Sequence, residues 1–523
     1  MTVGVDVARH GTARPDAPAV FDGDRYLTWG QFHHRTNRLA NALAGRYGVG
    51  PGDRVALLAH NRLEVAEVLA ATAKAGGVYV GLNFRMDAGD LDAAVANADP
   101  TVLLAEVDYE ADARRLSEQA GLPVAWIDAA GAAAEGPGTR YEALVDEGSD
   151  ATPATVHRVR HTDLACIVYT SGTTGTPKGV VFDHAAVTQH ATVACLEYGI
   201  DRTSRYLVQI PHNSSVNITM APCIAAGAAL GFADNRQFDP DRFAAAVADH
   251  GVTHTFLVPT QLMRVLDALA AGDPRLASVT TLGYGSSPIS PDRLGSLVDR
   301  FGPIFLQLYG MAEIASIGTL LRKDDHVRAL TDRPALLRSC GQPSYAVDVR
   351  VVDGEGADVP VGGRGEVVFA GPHVMRGYHR EPARTAEVLV DGWMHSGDVA
   401  EVDDEGYVYI VDRLKHLIIR GGQNIAPTEV ENVLYRHPAV LEAAVVGAPD
   451  PEWGERVVAV VALRDGAATT TPADLAEFVA RSGLATIKRP EEVRVLPSLP
   501  KNAVGKIDKQ RVRAAFWDGG RAV

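Results

Sequence analysis

The sequence predicts an α/β protein with a small α+β region at its carboxy-terminal end, on three observations. Helix and strand signals alternate as far as Leu308, which implies parallel sheets with helices on their faces. Beyond Val347, short strands are separated by the turn dipeptides Asp353-Gly354, Gly362-Gly363, Asp391-Gly392 and Glu405-Gly406, the pattern of antiparallel β. The end of the chain mixes strands again with helices. In order, Thr28 and Gln31 have capping-box spacing before a helix whose apolar face is Phe32, Leu39 and Leu43. Val55 to Leu58, a helix over Val65 to Ala75, and Gly77 to Val80 read as β-α-β. The alternation recurs as strand Val252 to Val258, helix Gln261 to Ala270, strand Val279 to Gly283, a helix from Ser290, and strand Ile304 to Leu308. Near the end come strands Ala443 to Val446, Val457 to Leu463 and Val493 to Leu496, with helices Val430 to Tyr435 and Pro472 to Ala480.

Composition narrows the function. The chain has 523 residues, enough for more than one core, and a formal net charge of −15. That balance argues against a nucleic-acid partner, whose phosphates need a basic face, so an anionic ligand requires local positive groups. The four cysteines, Cys166, Cys195, Cys223 and Cys340, are too scattered for a zinc site or a disulfide framework. Met1 to Ala19 lacks the apolar core of a secretory signal. The longest apolar stretch, Ala221 to Ala233, is broken by Pro222, Gly227 and Gly231 and is too short to span a bilayer. A cytoplasmic protein without a membrane span is expected.

The densest chemical signal runs from Tyr169 to Gly179. Thr170, Ser171, Gly172, Thr173, Thr174, Gly175, Thr176, Pro177 and Lys178 lie between the apolar runs Leu164 to Val168 and Val180 to Phe182. Glycines let backbone N–H groups turn toward an anion, hydroxyls add donors and the lysine adds charge, so the segment reads as a polyphosphate cradle. It is not a P-loop, because Lys178 stands between Pro177 and Gly179 and a β-like run follows rather than a helix.

This segment resembles the signature loop of the adenylate-forming superfamily of acyl-CoA synthetases, adenylation domains and luciferases. Further blocks follow in that family's order: Gln307-Leu308-Tyr309-Gly310-Met311-Ala312-Glu313, Trp393 to Asp398, Asp412 to His416, Gly421 to Glu431, and Leu499 to Lys509. The resemblance implies a large N-terminal domain over 1–411 with two doubly wound sheets and a distorted β-barrel. A hinge over 412–415 and a small mobile lid over 416–523 would complete the chain. It implies ATP and Mg²⁺ as cofactors and CoA as the expected acceptor. Tyr309 would lie against adenine, Gln307 would reach its amino edge, and Gly310, Met311, Ser286, Ser287 and Pro288 would complete the nucleotide site. Glu313 would help to hold Mg²⁺, a hard cation suited to carboxylate and phosphate oxygens. Asp398 and Arg413 would contact ribose or phosphate, Lys415 would be the hinge position, and Lys178, Glu313 and Lys506 the catalytic groups. Ala312 departs from the family's usual threonine, and loss of that hydroxyl's bond would cost ~1–3 kcal/mol if nothing replaces it.

The acid pocket is expected around His212, Asn213, Ser214, Asn217, Tyr284 and Gly285. Many relatives carry an aromatic residue and a histidine three positions beyond the proline, where this chain has Ser214, with His212 beside Pro211. A polar set of this kind disfavours a long fatty chain, because buried polar groups without partners are costly. The first reading is therefore ligation of a small polar or aryl acid to CoA. The second keeps adenylation but changes the acceptor to a carrier-protein pantetheine or an amine, or the activated oxyanion to nitrite. A third, a nucleotide-binding regulator without turnover, is opposed by the intact Lys506, Glu313 and Asp398.

Overall fold

The computed structural model describes residues 2–128, 138–170, 177–215, 219–287, 289–464, 466–467, 469–501 and 507–517. The chain divides into two compact units, Met1–Val349 with Phe369–Met394, and Arg350–Val368 with His395–Val523. The boundary read at 412 falls inside the second unit, because Val408–Arg413 forms a hairpin with Trp393–Val402.

The first unit contains two large sheets. One has eight strands in the order Gly377–Tyr378, Lys178–Asp183, Leu164–Thr170, Val78–Leu82, Arg54–Leu58, Val102–Glu106, Val124–Ile127, Thr139–Arg140. From Leu164–Thr170 onward neighbours are parallel, and the first two strands are antiparallel additions. The expected β-α-β is Arg54–Leu58, helix Leu63–Ala75 and Val78–Leu82, in register from Arg54↔Val78 to Leu58↔Leu82. The other sheet has nine strands, its parallel centre formed by Phe305–Tyr309, Thr281–Gly285, His254–Leu257, Arg205–Val208, Ala229–Phe232 and Pro18–Asp22.

Local sequence explains most of these elements. Thr28 caps helix Trp29–Tyr47, with Gln31 N donating to Thr28 Oγ1 and Thr28 N to Gln31 Oε1, and Phe32, Leu39 and Leu43 are fully buried. The apolar stretch from Ala221 breaks at Gly227 into helix Ala221–Ala226 and strand Ala229–Phe232. Strand pairing puts Gly231 opposite Phe21, and a side chain there would sit 2.1 Å from the Phe21 ring. No helix among the described residues is long and apolar enough to cross a membrane.

The strands beyond Val347 form an open sheet of five in place of the expected barrel, in the order Asp348–Val352, Arg364–Ala370, Trp393–Val402, Leu389–Val390, with Val408–Arg413 on Trp393–Val402. Its outer strands do not pair with each other among the described residues. In the second unit, Val440–Asp450 and Gly454–Leu463 make a long hairpin. These strands outrun the expected ones, since Glu442, Asp450 and Glu455 interrupt the apolar run but not the ladder. Ala443, Val445, Val457 and Ala459 face helices Pro427–Leu434 and Pro472–Arg481, and Ala444, Val446, Val458 and Val460 face Leu499 and Val512.

One buried charge has a measurable consequence. Lys74 is fully buried and donates to His33 O, Thr36 Oγ1 and Asn37 Oδ1 at 2.7–3.0 Å, with no carboxylate partner among the described residues. Burial pushes its ammonium from the usual 10.5 down to about 6. Between those values the unfolded chain binds more protons, so stability rises with pH from about 6 upward and is lost as pH falls through that window. Denaturant unfolding at pH 6 to 9 is expected to show wild-type stability gaining on Lys74→Met by up to ~1.4 kcal/mol per pH unit. A difference independent of pH would contradict it.

Candidate active site

Strands Leu164–Thr170 and Lys178–Asp183 are antiparallel, and their last pair is Thr170↔Lys178. The expected phosphate loop is therefore carried between two strand ends, as the β-like run after Lys178 implied. Ser171, Gly172, Thr173, Thr174 and Gly175 lie outside the described residues, as do Asn217, Pro288 and Lys506.

Lys178 is brought to a group the sequence did not single out. Its Nζ stands 5.1 Å from the centre of the Tyr378 ring, a cation–π distance. Tyr378 OH donates to Glu313 Oε1 at 2.7 Å, and Glu313 is 7% exposed. Burial, with the charge of Arg384, lowers the Lys178 pKa, and Glu313 opposes that shift. Glu313 sits in a short turn, Ala312–Ile314, tied by Met375 N donating to its carbonyl, and Ala315 and Ser316 follow at φ of 51° and 75°. Two successive non-glycine residues in the left-handed region are strained, and such strain collects at functional sites. The second oxygen of Glu313 has no hydrogen-bond partner among the described residues.

Strand Phe305–Tyr309 ends beside this turn. Tyr309 lies 6.0 Å, centre to centre, from Phe369. Behind it, His326 Nδ1 bonds Arg322 O at 2.7 Å, so that nitrogen carries the proton and Nε2 accepts from Tyr284 OH at 2.8 Å. Burial holds His326 at about 4, neutral at physiological pH. Gln307 Oε1 lies 3.2 Å from the same phenol oxygen, so Gln307 is tied into this buried network. Gly285 ends the adjacent strand where a side chain would lie 2.3 Å from Leu308 O, and Ser286 follows exposed at φ 73°, with Ser287 exposed beside it. Gly310 leads into Met311, whose carbonyl accepts from Ile314 N and Ser316 N.

The expected acid-pocket residues divide. His212 is fully buried, its Nδ1 2.8 Å from Tyr79 OH, and burial holds it at about 4. Tyr284 is likewise buried in the network just described. Asn213 is 3% exposed and donates to Ser214 Oγ at 3.3 Å. A separate cluster, His60, Glu106 and Asp108, has metal-like spacing. Its donors are already committed: Glu106 to Arg62 at 2.9 Å and to His60 Nδ1 at 3.1 Å, His60 Nε2 to Tyr109 OH at 2.5 Å, and Asp108 to Arg236 at 3.4 Å. It reads as an ion-pair network.

In the second unit Asp398 and Arg413 pair across the hairpin, with Arg413 Nε 2.9 Å from Asp398 Oδ1. The chain bends at Gly397, φ 71°, and Glu366 holds the bend by accepting from Gly397 N and bonding His395 Nδ1, both at 2.8 Å. Asp412 accepts from Thr428 N at 2.9 Å and Thr428 Oγ1 at 2.8 Å, which satisfies the start of helix Pro427–Leu434. Lys415 lies in the turn Leu414–His416. Sequence reasoning missed Tyr378 and Glu366, since a tyrosine after Gly377 and an acid within a strand carry no motif of their own.

The chain is similar to known proteins over nearly its whole length. Residues 7–379 match the family model described as AMP-binding enzyme, and residues 429–506 match AMP-binding enzyme C-terminal domain. A feruloyl-CoA synthase from Amycolatopsis sp is 38% identical over 515 residues, covering 97% of this chain and 98% of that protein. A medium/long-chain-fatty-acid–CoA ligase, FadD8, from Mycobacterium tuberculosis is 34% identical over 524 residues, covering 97% and 89%. The structure of the amide bond synthetase McbA from Marinactinospora thermotolerans superposes with a TM-score of 0.86 at 31% identity, covering 99% of this chain and 100% of that one.

Proposed function

Because the chain belongs to the AMP-binding enzyme family, as an AMP-forming adenylating acid ligase, we propose that its substrate is a small polar or aryl carboxylic acid and its acceptor the thiol of CoA. The acid's carboxylate oxygen attacks the α-phosphorus of ATP, pyrophosphate leaves, and an acyl-adenylate remains. The thiolate then attacks the acyl carbon and AMP leaves.

The observation that carries the adenylation reading is the Lys178–Tyr378–Glu313 group beside the strand ends that hold the hydroxyl- and glycine-rich loop. Lys178 places positive charge against the phosphates, and Tyr378 orients Glu313. Glu313 fits Mg²⁺, because its carboxylate is nearly buried and keeps one oxygen without a protein donor among the described residues. When bound, the ion supplies charge neutralisation to the phosphate oxygens. Tyr309 and Gln307 bind the base, Asp398 and Arg413 the ribose, and Lys506 stabilises charge as the α-phosphate is attacked. In this proposal 416–523 is a lid over the domain 1–411, turning about Lys415 in the hinge 412–415 to exchange Lys506 for the loop at Gly421-Gly422, and the reaction takes place in the cytoplasm.

Asn213, buried and bonded to Ser214 Oγ, makes part of the expected acid pocket polar, which supports a polar or aryl acid over a fatty one. ATP–pyrophosphate exchange over aryl, small polar, amino and fatty acids plus nitrite is expected to peak with an aryl or small polar acid. A fatty-acid optimum would overturn the substrate reading. Transfer to an amine in place of CoA is the second reading, favoured by the likeness to the amide bond synthetase; incubating the preferred acid with CoA or an arylamine distinguishes them.

A further inference from the structure

Strand Lys178–Asp183 is flanked by a segment from far along the chain, Gly377–Tyr378, in register Gly377↔Val181 and Tyr378↔Val180. His379 N donates to Gly179 O at 2.7 Å and carries the match toward Lys178. Residues two apart on a strand share a face, so Lys178 and Val180 lie on one face and the Tyr378 ring beside Val180 is within reach of Lys178 Nζ. Helix Pro382–Val388 then folds back onto this strand. Thr385 fixes it there: its Oγ1 accepts from Tyr378 N and donates to Glu381 O, both at 2.9 Å. Gly377, at φ 143°, allows the approach, since a side chain there would lie 2.8 Å from Thr385 Cγ2.

The residue before Thr385 is Arg384. Its guanidinium carbon stands 5.9 Å from the centre of the Tyr378 ring, and Lys178 Nζ stands 5.1 Å from the same point. Two cations are thus held on one ring, no further apart than those two distances together. The Arg384 side chain is 19% exposed, and its Nη1 lies 3.0 Å from Glu381 Oε2. Burial first and the Arg384 charge next lower the Lys178 pKa, while Glu313, Glu381 and Glu387 oppose them. Like charges held this close and partly out of water repel, and an anion beside them relieves the repulsion. The other arginines of this segment are engaged elsewhere, Arg376 with Asp183 at 2.6 Å and Arg380 with Asp99 at 2.9 Å. In a chain of net charge −15, an anionic ligand depends on such local cations. A guanidinium also matches two phosphate oxygens with parallel N–H donors.

We propose that Arg384 is a second cation of the phosphate site, binding with Lys178 the polyphosphate tail of ATP and the pyrophosphate that leaves. The proposal rests on the reading of Lys178, Tyr378 and Glu313 as that site. As the bond from the α-phosphorus to the bridging oxygen breaks, its electron pair stays on pyrophosphate, and the two cations meet the charge that collects there. AMP and acyl-adenylate carry no such tail, so Arg384 takes no part in holding them.

The test compares ligands with and without the tail. In Arg384→Gln, titration calorimetry is expected to show pyrophosphate and ATP each bound ~10-fold more weakly, the scale of one charge-assisted hydrogen bond. Affinity for AMP, and thioester formation from supplied acyl-adenylate and CoA, should be unchanged. Arg384→Lys keeps the charge and an apolar stem, so it should fold in any case and show a smaller loss confined to the same two ligands. A loosened helix Pro382–Val388 would instead lower Tm and weaken AMP along with them. Unchanged pyrophosphate affinity in both variants, or equal weakening of AMP and pyrophosphate, overturns the role of Arg384. Lys178→Met run alongside separates the causes: if it too binds pyrophosphate and ATP normally, the phosphate-site reading has failed and this proposal with it, whereas weakening in Lys178→Met alone overturns only the role of Arg384.

Discussion

Lys506→Ala is expected to lower ATP–pyrophosphate exchange by ~10³-fold, the upper range for removing one preorganised group aimed at developing charge. Thioester formation from supplied acyl-adenylate should survive, because that step needs no charge neutralisation at the α-phosphate. The asymmetry is the informative part. An enzyme damaged in folding loses both half-reactions together, whereas removal of a group that acts only in the first transition state leaves the second intact. Single-turnover assays of each half-reaction check it, and equal loss in both would contradict the assignment.

The second large effect is expected at Glu313. Its carboxylate is 7% exposed, held by Tyr378 OH at 2.7 Å, and faces the neighbourhood of Lys178. Glu313→Gln keeps the shape and an acceptor for Tyr378 but removes the charge, so ATP–pyrophosphate exchange should fall by ~10²-fold with little change in Tm. Tyr378→Phe leaves the charge and removes only its orienting bond. A hydrogen bond to a charged group contributes ~1.5–3 kcal/mol, so the loss there should be ~10-fold or somewhat more. If Tyr378→Phe proves as damaging as Glu313→Gln, the phenol itself acts in the reaction. If neither lowers exchange, the Lys178–Tyr378–Glu313 group is not the phosphate site.

Much of this was open to reading in the amino-acid order. Apolar alternation placed Arg54–Leu58, Leu63–Ala75 and Val78–Leu82, because burial on both faces of a parallel sheet writes itself into contiguous Val, Leu and Ala. The capping pair Thr28 and Gln31 marked a helix start through local hydrogen bonds that need no tertiary partner. The strand that begins at Lys178 was legible too, as the β-like apolar run Val180 to Phe182. Strand Pro18–Asp22 was not, since its place beside Ala229–Phe232 depends on a partner far along the chain. His212 and Tyr284 were expected in the acid pocket, and their burial against Tyr79, His326 and Gln307 could be seen only once the sheets were assembled.

The sequence by itself determined the layered α/β architecture, because periodicity and turn residues are encoded over short spans, and its resemblance to the adenylate-forming superfamily supplied the chemistry of a nucleotide-activating enzyme. Only the tertiary structure decided which groups meet. Tyr378 beneath Lys178 and against Glu313, and Glu366 at the Gly397 bend, join residues distant in the chain. Such pairings follow from how strands register and faces pack, and no local pattern specifies them.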